Sequence, residues 1–431
     1  MYINSIELHN FRTFRSTKIQ FLHPNLDFTE HRLPVPTLKN INLLLGNNGQ
    51  GKTTLLKAIA LACLGPAVSR VGIYPYRLIR RAANAAPLNQ PPILELTPGA
   101  PQTWVENLKA RLSASFTPHE QDHVPESFTS IESVVEIQQQ GDLELLEWAH
   151  SEEKPWHPIY DNDSAALFFV GYGATRRVEQ KANFDSSLRS SRMSMRAQRV
   201  QSLFEDSYSL VPLNQWLPDY RLKNKGRYTQ IVNLMNRLMG KDHYQFTGDM
   251  ENGEYLYELG NLRVPFPALS DGYRAYLGWI GDLLYHICMT CPKGKKLVDN
   301  CGIVMVDEID LHLHPQWQMT VLPTLAAALP KIQFIVTSHS PLVVGSLEWS
   351  NIIVAKQENN GQASTLERIP SAVHGLDADQ ILLTDFFELE STRAAGKDRI
   401  LKDLTMRARL GDAQAARKLL REMSSGKEAI K

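Results

Sequence analysis

The chain opens on Tyr2-Ile3-Asn4-Ser5-Ile6-Glu7-Leu8, whose apolar and polar positions alternate as in a strand with one buried face. Ile41-Asn42-Leu43-Leu44-Leu45 predicts a second strand. It runs into a turn rich in Gly and Asn and then into the helix-like Thr53-Thr54-Leu55-Leu56-Lys57-Ala58-Ile59-Ala60. Strand, glycine turn and helix in that order are the βα unit of an open α/β sheet. From about Pro66 to Pro158 prolines recur and β-like runs are short, Val134-Val135-Glu136-Ile137 among them, so this stretch reads as an insertion on the sheet and not as a second core. Leu167-Phe168-Phe169-Val170-Gly171-Tyr172-Gly173 is a further apolar strand ending in glycines. Arg176 to Arg199, rich in Ser, Arg and Gln, reads as a mobile loop. Apolar positions three and four apart from about Ser202 to Met239 predict helices. Gly302-Ile303-Val304-Met305-Val306 and Ile332-Gln333-Phe334-Ile335-Val336 predict buried strands, and Ala, Leu, Arg and Glu from Asp379 onward predict helix. There is no internal repeat and no sustained heptad.

Composition narrows the class. The 431 residues carry 46 Lys+Arg against 46 Asp+Glu, which excludes nucleic-acid binding by bulk charge but not by a local basic strip. A 43% hydrophobic content supplies a large core. Four cysteines, Cys63, Cys288, Cys291 and Cys301, are too few for a secreted disulfide framework. The N-terminus lacks a signal-peptide apolar core, and no uninterrupted apolar run approaches the roughly 18 residues of a membrane helix. By elimination the expectation is a soluble, cytoplasmic protein with no membrane partner.

Chemistry concentrates at four places. Gly46-Asn47-Asn48-Gly49-Gln50-Gly51-Lys52-Thr53 fits GxxxxGK[ST] in full, and Thr54 follows it. Glycines let backbone N–H groups curl round a phosphate at a helix N-terminus, Lys52 reaches the terminal phosphates, and the Thr53 hydroxyl suits Mg²⁺. After the apolar Gly302–Val306 run, Asp307 and Glu308 emerge at a strand's C-terminal edge, where open α/β sheets bind ligands. Asp307 is the candidate Mg²⁺ partner and Glu308 the candidate base that polarises the attacking water. Thr337-Ser338-His339-Ser340 ends another strand, and His339 could hydrogen-bond a γ-phosphate. Leu269-Ser270-Asp271-Gly272-Tyr273-Arg274 precedes a helix-like run, so Ser270 and the Gly272 backbone could meet a phosphate, although Ser-Asp-Gly also spells a common turn.

In this order the four pieces resemble the ATPase head of the ABC superfamily, in the branch of SMC and RecF proteins and OLD-type ATPases. Glu7-Leu8-His9-Asn10-Phe11-Arg12-Thr13-Phe14 resembles that branch's opening strand, and Asp307-Glu308-Ile309-Asp310-Leu311-His312-Leu313-His314-Pro315 its Walker B and D-loop in small prokaryotic ATPases. The resemblance implies an α/β, ABC-type ATPase head: a mixed, partly parallel P-loop sheet with flanking helices, a β-rich N-terminal part and an inserted helical lobe bearing the signature motif. Residues 1–65 and 300–375, with the strand near 167–173, would form the core lobe. Residues 66–299 would be the insertion and signature lobe, and 376–431 a helical extension.

It further implies ATP and Mg²⁺ as cofactors and an ATP-sandwich homodimer, or a higher oligomer. Lys52, Thr53, Asp307, Glu308 and His339 of one subunit would face Ser270 and Gly272 of the other, with Arg12 near the α/β-phosphates. The sequence departs from the family where the usual Gly-Gln is Gly272-Tyr273 and where His314 replaces the D-loop aspartate. A Q-loop glutamine is open between Gln138, Gln139 and Gln140, while Tyr172-Gly173-Ala174-Thr175-Arg176 resembles a stretch near that lobe.

Small ATPases of this branch are similar to subunits of anti-phage systems, PtuA of Septu and AriA of PARIS, which implies a switch or sensor acting on a separately encoded effector such as a nuclease. The 92 residues after His339 show no carboxylates clustered on strand ends, so no nuclease is expected within them. Arg176, Arg177, Lys181, Arg189, Arg192, Arg196 and Arg199, set against Glu179 and Asp185, could neutralise DNA or RNA phosphates, and a DNA-repair or chromosome-maintenance ATPase is the alternative reading. Cys288 and Cys291 have CxxC spacing without a second pair, which favours two structural thiols over a zinc site.

Overall fold

The computed structural model describes residues 1–70, 73, 77–81, 109–140, 143–149, 153–160, 166–176, 192–358, 363–387, 389–393 and 395–424. They divide into two compact units, Met1–Gly375 and Leu376–Lys431.

The first unit is built on one mixed sheet. Its strands are β1 (Tyr2–Phe11), β2 (Phe14–Gln20), β3 (Ile41–Leu45), β4 (Lys109–Thr117), β5 (Ile131–Gln140), β6 (Leu143–Trp148) and β7 (Phe169–Tyr172). A separate three-stranded sheet follows, β8 (Gln245–Glu251), β9 (Glu254–Leu259) and β10 (Leu262–Pro265). The chain then returns to the main sheet with β11 (Gly302–Val306), β12 (Ile332–Thr337), β13 (Ile352–Gln357) and β14 (Ser364–Glu367). The main sheet runs β6-β5-β4-β1-β2-β14-β13-β3-β12-β11-β7. From β13 to β7 the pairings are parallel, and from β2 to β6 they are antiparallel. The parallel strands β3, β11 and β12 are buried at every residue because both faces are covered, and their polar residues Asn42, Gln333 and Thr337 are hydrogen-bonded inside.

Helix α1 (Lys52–Leu64) explains how one core serves both halves. It packs against β7 and β12 on the parallel side and β4 and β5 on the antiparallel side, so nearly all of its residues are buried. That accounts for an apolar composition without a polar face. By length and composition Lys52–Ser69 would suffice to cross a membrane, but here it is the centre of the core. The strands β4 and β5 carry Leu112, Phe116, Val135 and Ile137 into the same core.

Helix α2 (His157–Tyr160) precedes β7, and α3 (Arg192–Gln201) packs against that strand. Here the expectation of a loop from Arg176 to Arg199 is corrected at its two ends, since Arg192 to Arg199 is helical and Arg176 is buried. Arg176, Arg196 and Arg199 are buried; Arg196 donates to the Ala166 carbonyl at 3.3 Å, and the Arg199 guanidinium lies 5.6 Å from the Phe168 ring centre. These cations are held by the interior because their long stems and planar heads pack where an exposed loop would leave them hydrated. Arg177, Glu179, Lys181, Asp185 and Arg189 lie outside the described residues.

The helical lobe comprises α4 (Leu213–Lys223), α5 (Lys225–Met239) and the long α6 (Asp271–Thr290). The helices expected from Ser202 start instead at Leu213. Asp282 of α6 accepts from the Val211 N–H at 2.8 Å, so a buried carboxylate satisfies a backbone donor just ahead of α4. Helices α7 (Pro315–Ala328) and α8 (Pro341–Gly345) follow β11 and β12.

The second unit holds α9 (Ala378–Leu382), α10 (Ala395–Arg409) and α11 (Ala413–Ser424), the last two packed on each other. Asp412 caps α11, accepting from the Gln414 and Ala415 N–H groups at 2.9 and 3.0 Å while receiving Arg407 at 2.7 Å. Leu401, Leu404 and Ala415 are buried, whereas Ile400, Met406, Leu410 and Leu420 are exposed.

Candidate functional site

The glycine loop lies where β3 hands over to α1. Gly51 takes φ 100°, and a Cβ there would come 2.5 Å from Thr13 Oγ1 and 2.6 Å from the Phe14 ring, so glycine is required on both counts. Lys52 is buried and bends back over the loop, donating to the Gly46 carbonyl at 2.7 Å and the Asn47 carbonyl at 3.2 Å. Burial pulls its pKa below the ordinary value, against the opposing pull of Asp307, Glu308 and Asp310.

Parallel pairing of β11 with β12, and of β12 with β3, brings the three strand ends together. Thr53 donates to Asp307 Oδ2 at 2.7 Å, and Thr337 at the end of β12 donates to Asp307 Oδ1 at 2.6 Å. The Asp307 carboxylate is thus held on both oxygens. The same Thr337 hydroxyl accepts from the Glu308 N–H at 2.7 Å. Glu308 has φ 49°, a left-handed conformation that costs an L-residue about 1–2 kcal/mol. Its carbonyl accepts from Arg176 Nη2 at 2.8 Å. Arg176 stands just past β7, the other parallel neighbour of β11. Burial pushes its pKa down to about 10, so it keeps its charge at neutral pH. His339, exposed just past β12, is held below the usual imidazole value by partial desolvation and by the Lys52 ammonium.

The loop's other residues face a cleft of about 360 Å³. Asn48, Gly49 and Gln50 line it with Arg12, Thr13 and Arg80. Arg12 sits in the tight turn between β1 and β2 with φ 48°, its N–H bonded to the Leu78 carbonyl at 2.7 Å. Asn47 is tied to the Gln50 side chain, and Thr54 is buried in the first turn of α1.

Ser270 and Gly272 are placed differently, at the start of α6. Ser270 is exposed and makes no side-chain capping bond. A Cβ on Gly272 would lie 2.5 Å from the His312 carbonyl, so the helix start rests directly on the segment that follows Glu308. Tyr273 has a local role: its hydroxyl meets His243 Nδ1 at 2.9 Å and its ring lies 4.8 Å from Trp317 on α7. His314 caps α7 through its ring nitrogen, 3.4 Å from the Gln316 N–H. Gln138, Gln139 and Gln140 end β5, six strands from β3 in the sheet order, whereas Arg176 is at the site. Cys291 directs its thiol at the Lys295 and Lys296 carbonyls, both 3.6 Å away.

Thr53 and Asp307 converge as hard oxygen donors, the chemistry Mg²⁺ takes, so the residues present fit that ion. Sequence reasoning assigned no role to Thr337 or Arg80, and it placed Arg176 in a basic run and near the Q-loop lobe without pairing it to Glu308. Thr337 stood in a quoted motif, two residues before the histidine that drew attention.

A glycine loop and an acidic strand end brought together on a mixed sheet are the arrangement of a P-loop nucleotide site, and two stretches of the chain match AAA-domain models. Residues 143–345 match a family described as "AAA domain, putative AbiEii toxin, Type IV TA system", and residues 5–79 one described as "AAA domain". The chain is similar to Septu protein PtuA of Bacillus mycoides (strain KBAB4), 26% identical over 395 residues, with 91% of this chain and 45% of that one covered. It is also similar to a retron Ec83 probable ATPase of Escherichia coli, 26% identical over 428 residues, covering 88% of this chain and 75% of that one. It thus spans under half of the first relative's length and three quarters of the second's. Among solved structures, an Smc head domain bound to ScpA from Pyrococcus furiosus is 15% identical, with 85% of this chain and 96% of that one covered at a TM-score of 0.48.

Proposed function

We propose that the chain binds and hydrolyses ATP with Mg²⁺ and uses the bound nucleotide to switch its own assembly, and through it a separately encoded effector such as a nuclease, in anti-phage defence. One observation carries the chemical part: Thr53, Asp307 and Thr337, from three distant segments, meet in a closed hydrogen-bonded set beside Lys52. Thr53 and Asp307 would hold the ion, which supplies charge neutralisation at the phosphates. Lys52 would exchange its carbonyl partners for phosphate oxygens, at little electrostatic cost because both are anionic or partly so. Glu308 would take a proton from water, and His339 would donate to the terminal phosphate. The defence assignment is supported by the likeness to a Septu protein and a retron ATPase.

The test is ATP turnover by the purified chain with and without Mg²⁺, followed by recovery of proteins encoded beside it. Mg²⁺-dependent turnover and a nuclease-like companion retained with ATP are expected; turnover that needs neither Mg²⁺ nor Glu308 contradicts the assignment. For the repair-type alternative, Arg176, Arg196 and Arg199 are buried and so are withdrawn from the basic run that would meet phosphates.

A further inference from the structure

Glu308 is gripped on both sides of its own residue. Its N–H is taken by the Thr337 hydroxyl at 2.7 Å, and its carbonyl by Arg176 Nη2 at 2.8 Å. Between the two grips the backbone is left-handed, with φ 49°, at a residue that is not glycine. Thr337 is fully buried and Arg176 is 8% exposed, so neither bond competes freely with water. Among the described residues Arg176 Nη1 is buried without a hydrogen-bond partner. An arginine placed for packing alone would not need to set Nη2 on one particular carbonyl within the field of Asp307, Asp310 and Glu308. Strained backbone persists only where its surroundings over-determine it, and here the over-determination falls on the residue whose carboxylate direction matters most.

We propose that Arg176 is a positioning residue for hydrolysis: with Thr337 it clamps the Glu308 backbone in its left-handed conformation and so aims the carboxylate at the attacking water. This rests on the hydrolytic reading above. Without the clamp Glu308 relaxes towards ordinary backbone angles, and its carboxylate leaves the line of attack while Lys52, Thr53 and Asp307 still hold nucleotide. Arg176 acts through Glu308 and needs no contact with ATP.

The experiment uses the full chain, with affinity read from a fluorescent ATP analogue and chemistry from single-turnover cleavage of ATP·Mg²⁺. Arg176→Gln and Arg176→Lys are expected to keep affinity within about threefold while slowing cleavage about 100-fold, the usual penalty for a misplaced group. Lysine keeps the charge but carries no planar head to set an N–H on the Glu308 carbonyl from the same place, so its failure to rescue separates aiming from electrostatics. Arg176→Met, which keeps the buried apolar stem without the N–H, should give the same split and decides the matter if Arg176→Gln folds poorly; Thr337→Val also frees Asp307 Oδ1, so it should slow cleavage and weaken Mg²⁺-dependent affinity together. Adding Arg176→Gln to Glu308→Gln should cost no further rate. Wild-type cleavage with an unimpaired Arg176→Gln overturns this inference alone. Affinity lost tenfold with an unchanged cleavage rate overturns it in favour of a phosphate-binding arginine. A wild-type chain that cleaves no ATP overturns the hydrolytic reading and this inference with it.

Discussion

Two helix N-termini in the first unit are built to opposite standards. At α1 the groups are committed within the chain: Lys52 holds two loop carbonyls, Thr53 holds Asp307, and Gly51 is pressed against Thr13 and Phe14. At α6 the start is exposed, Ser270 caps nothing with its side chain, and Asp271 pairs with Arg274 on the surface. Yet α6 is anchored firmly behind its first turn, by Tyr273 and Tyr276 against Trp317 and by the buried Asp282 with Tyr172. The contrast teaches that rigidity and satisfaction are separate properties. The α1 end has its polar groups paired within the chain, whereas the α6 end is a firmly packed helix with an exposed polar first turn. A nucleotide held on the α1 end of a second copy is what the shared-site proposal puts there.

The comparison can be broken most severely at the α1 side. Glu308→Gln should leave ATP binding intact and lower turnover by about 10²–10⁴-fold, the range for loss of a general base, while trapping a nucleotide-bound assembly visible by light scattering. Lys52→Ala should act on binding instead, weakening ATP about 10–100-fold by equilibrium titration, as expected for one charge-assisted contact. On the α6 side, Ser270→Arg should abolish ATP-dependent association in sedimentation runs yet leave the affinity of the isolated chain for ATP unchanged. Tyr273→Phe sharpens the distinction between packing and contact. It removes the His243 bond, so thermal unfolding should report a loss of about 1 kcal/mol with nucleotide affinity untouched.

The two ends were also unequally legible in the sequence. The α1 side could be read because β3 and β11 are largely apolar runs that stop at residues with special duties, glycine in one and paired carboxylates in the other. What the sequence could not reveal was who meets whom. Thr53 and Asp307 are 254 positions apart, and Arg176 and Glu308 are 132 apart. Arg176 was read with a basic loop because its local neighbours are polar, although the structure buries it just past β7 against Glu308 at the end of β11. Parts of the antiparallel wing were missed for a different reason. Strand β14 has four residues and β6 is half-exposed along its length, so neither carries a strong period. Strand β4, Lys109–Thr117, alternates cleanly in burial and could have been found by the same pattern that identified β1. The departure at Tyr273 looked like a weakened signature, but in the fold it is a packing residue against α7 and His243.

The most direct test of the shared site is to mix purified Lys52→Ala and Ser270→Arg chains, allow subunits to exchange, and measure Mg²⁺-dependent ATP turnover. In a two-fold dimer with one nucleotide between each Lys52 and the opposite Ser270, every hybrid has one site made wholly of unaltered residues. An equal mixture should then recover about a quarter of the wild-type rate while each variant alone is nearly inactive. A mixture no more active than the two variants measured separately would contradict a nucleotide site shared between copies of this chain.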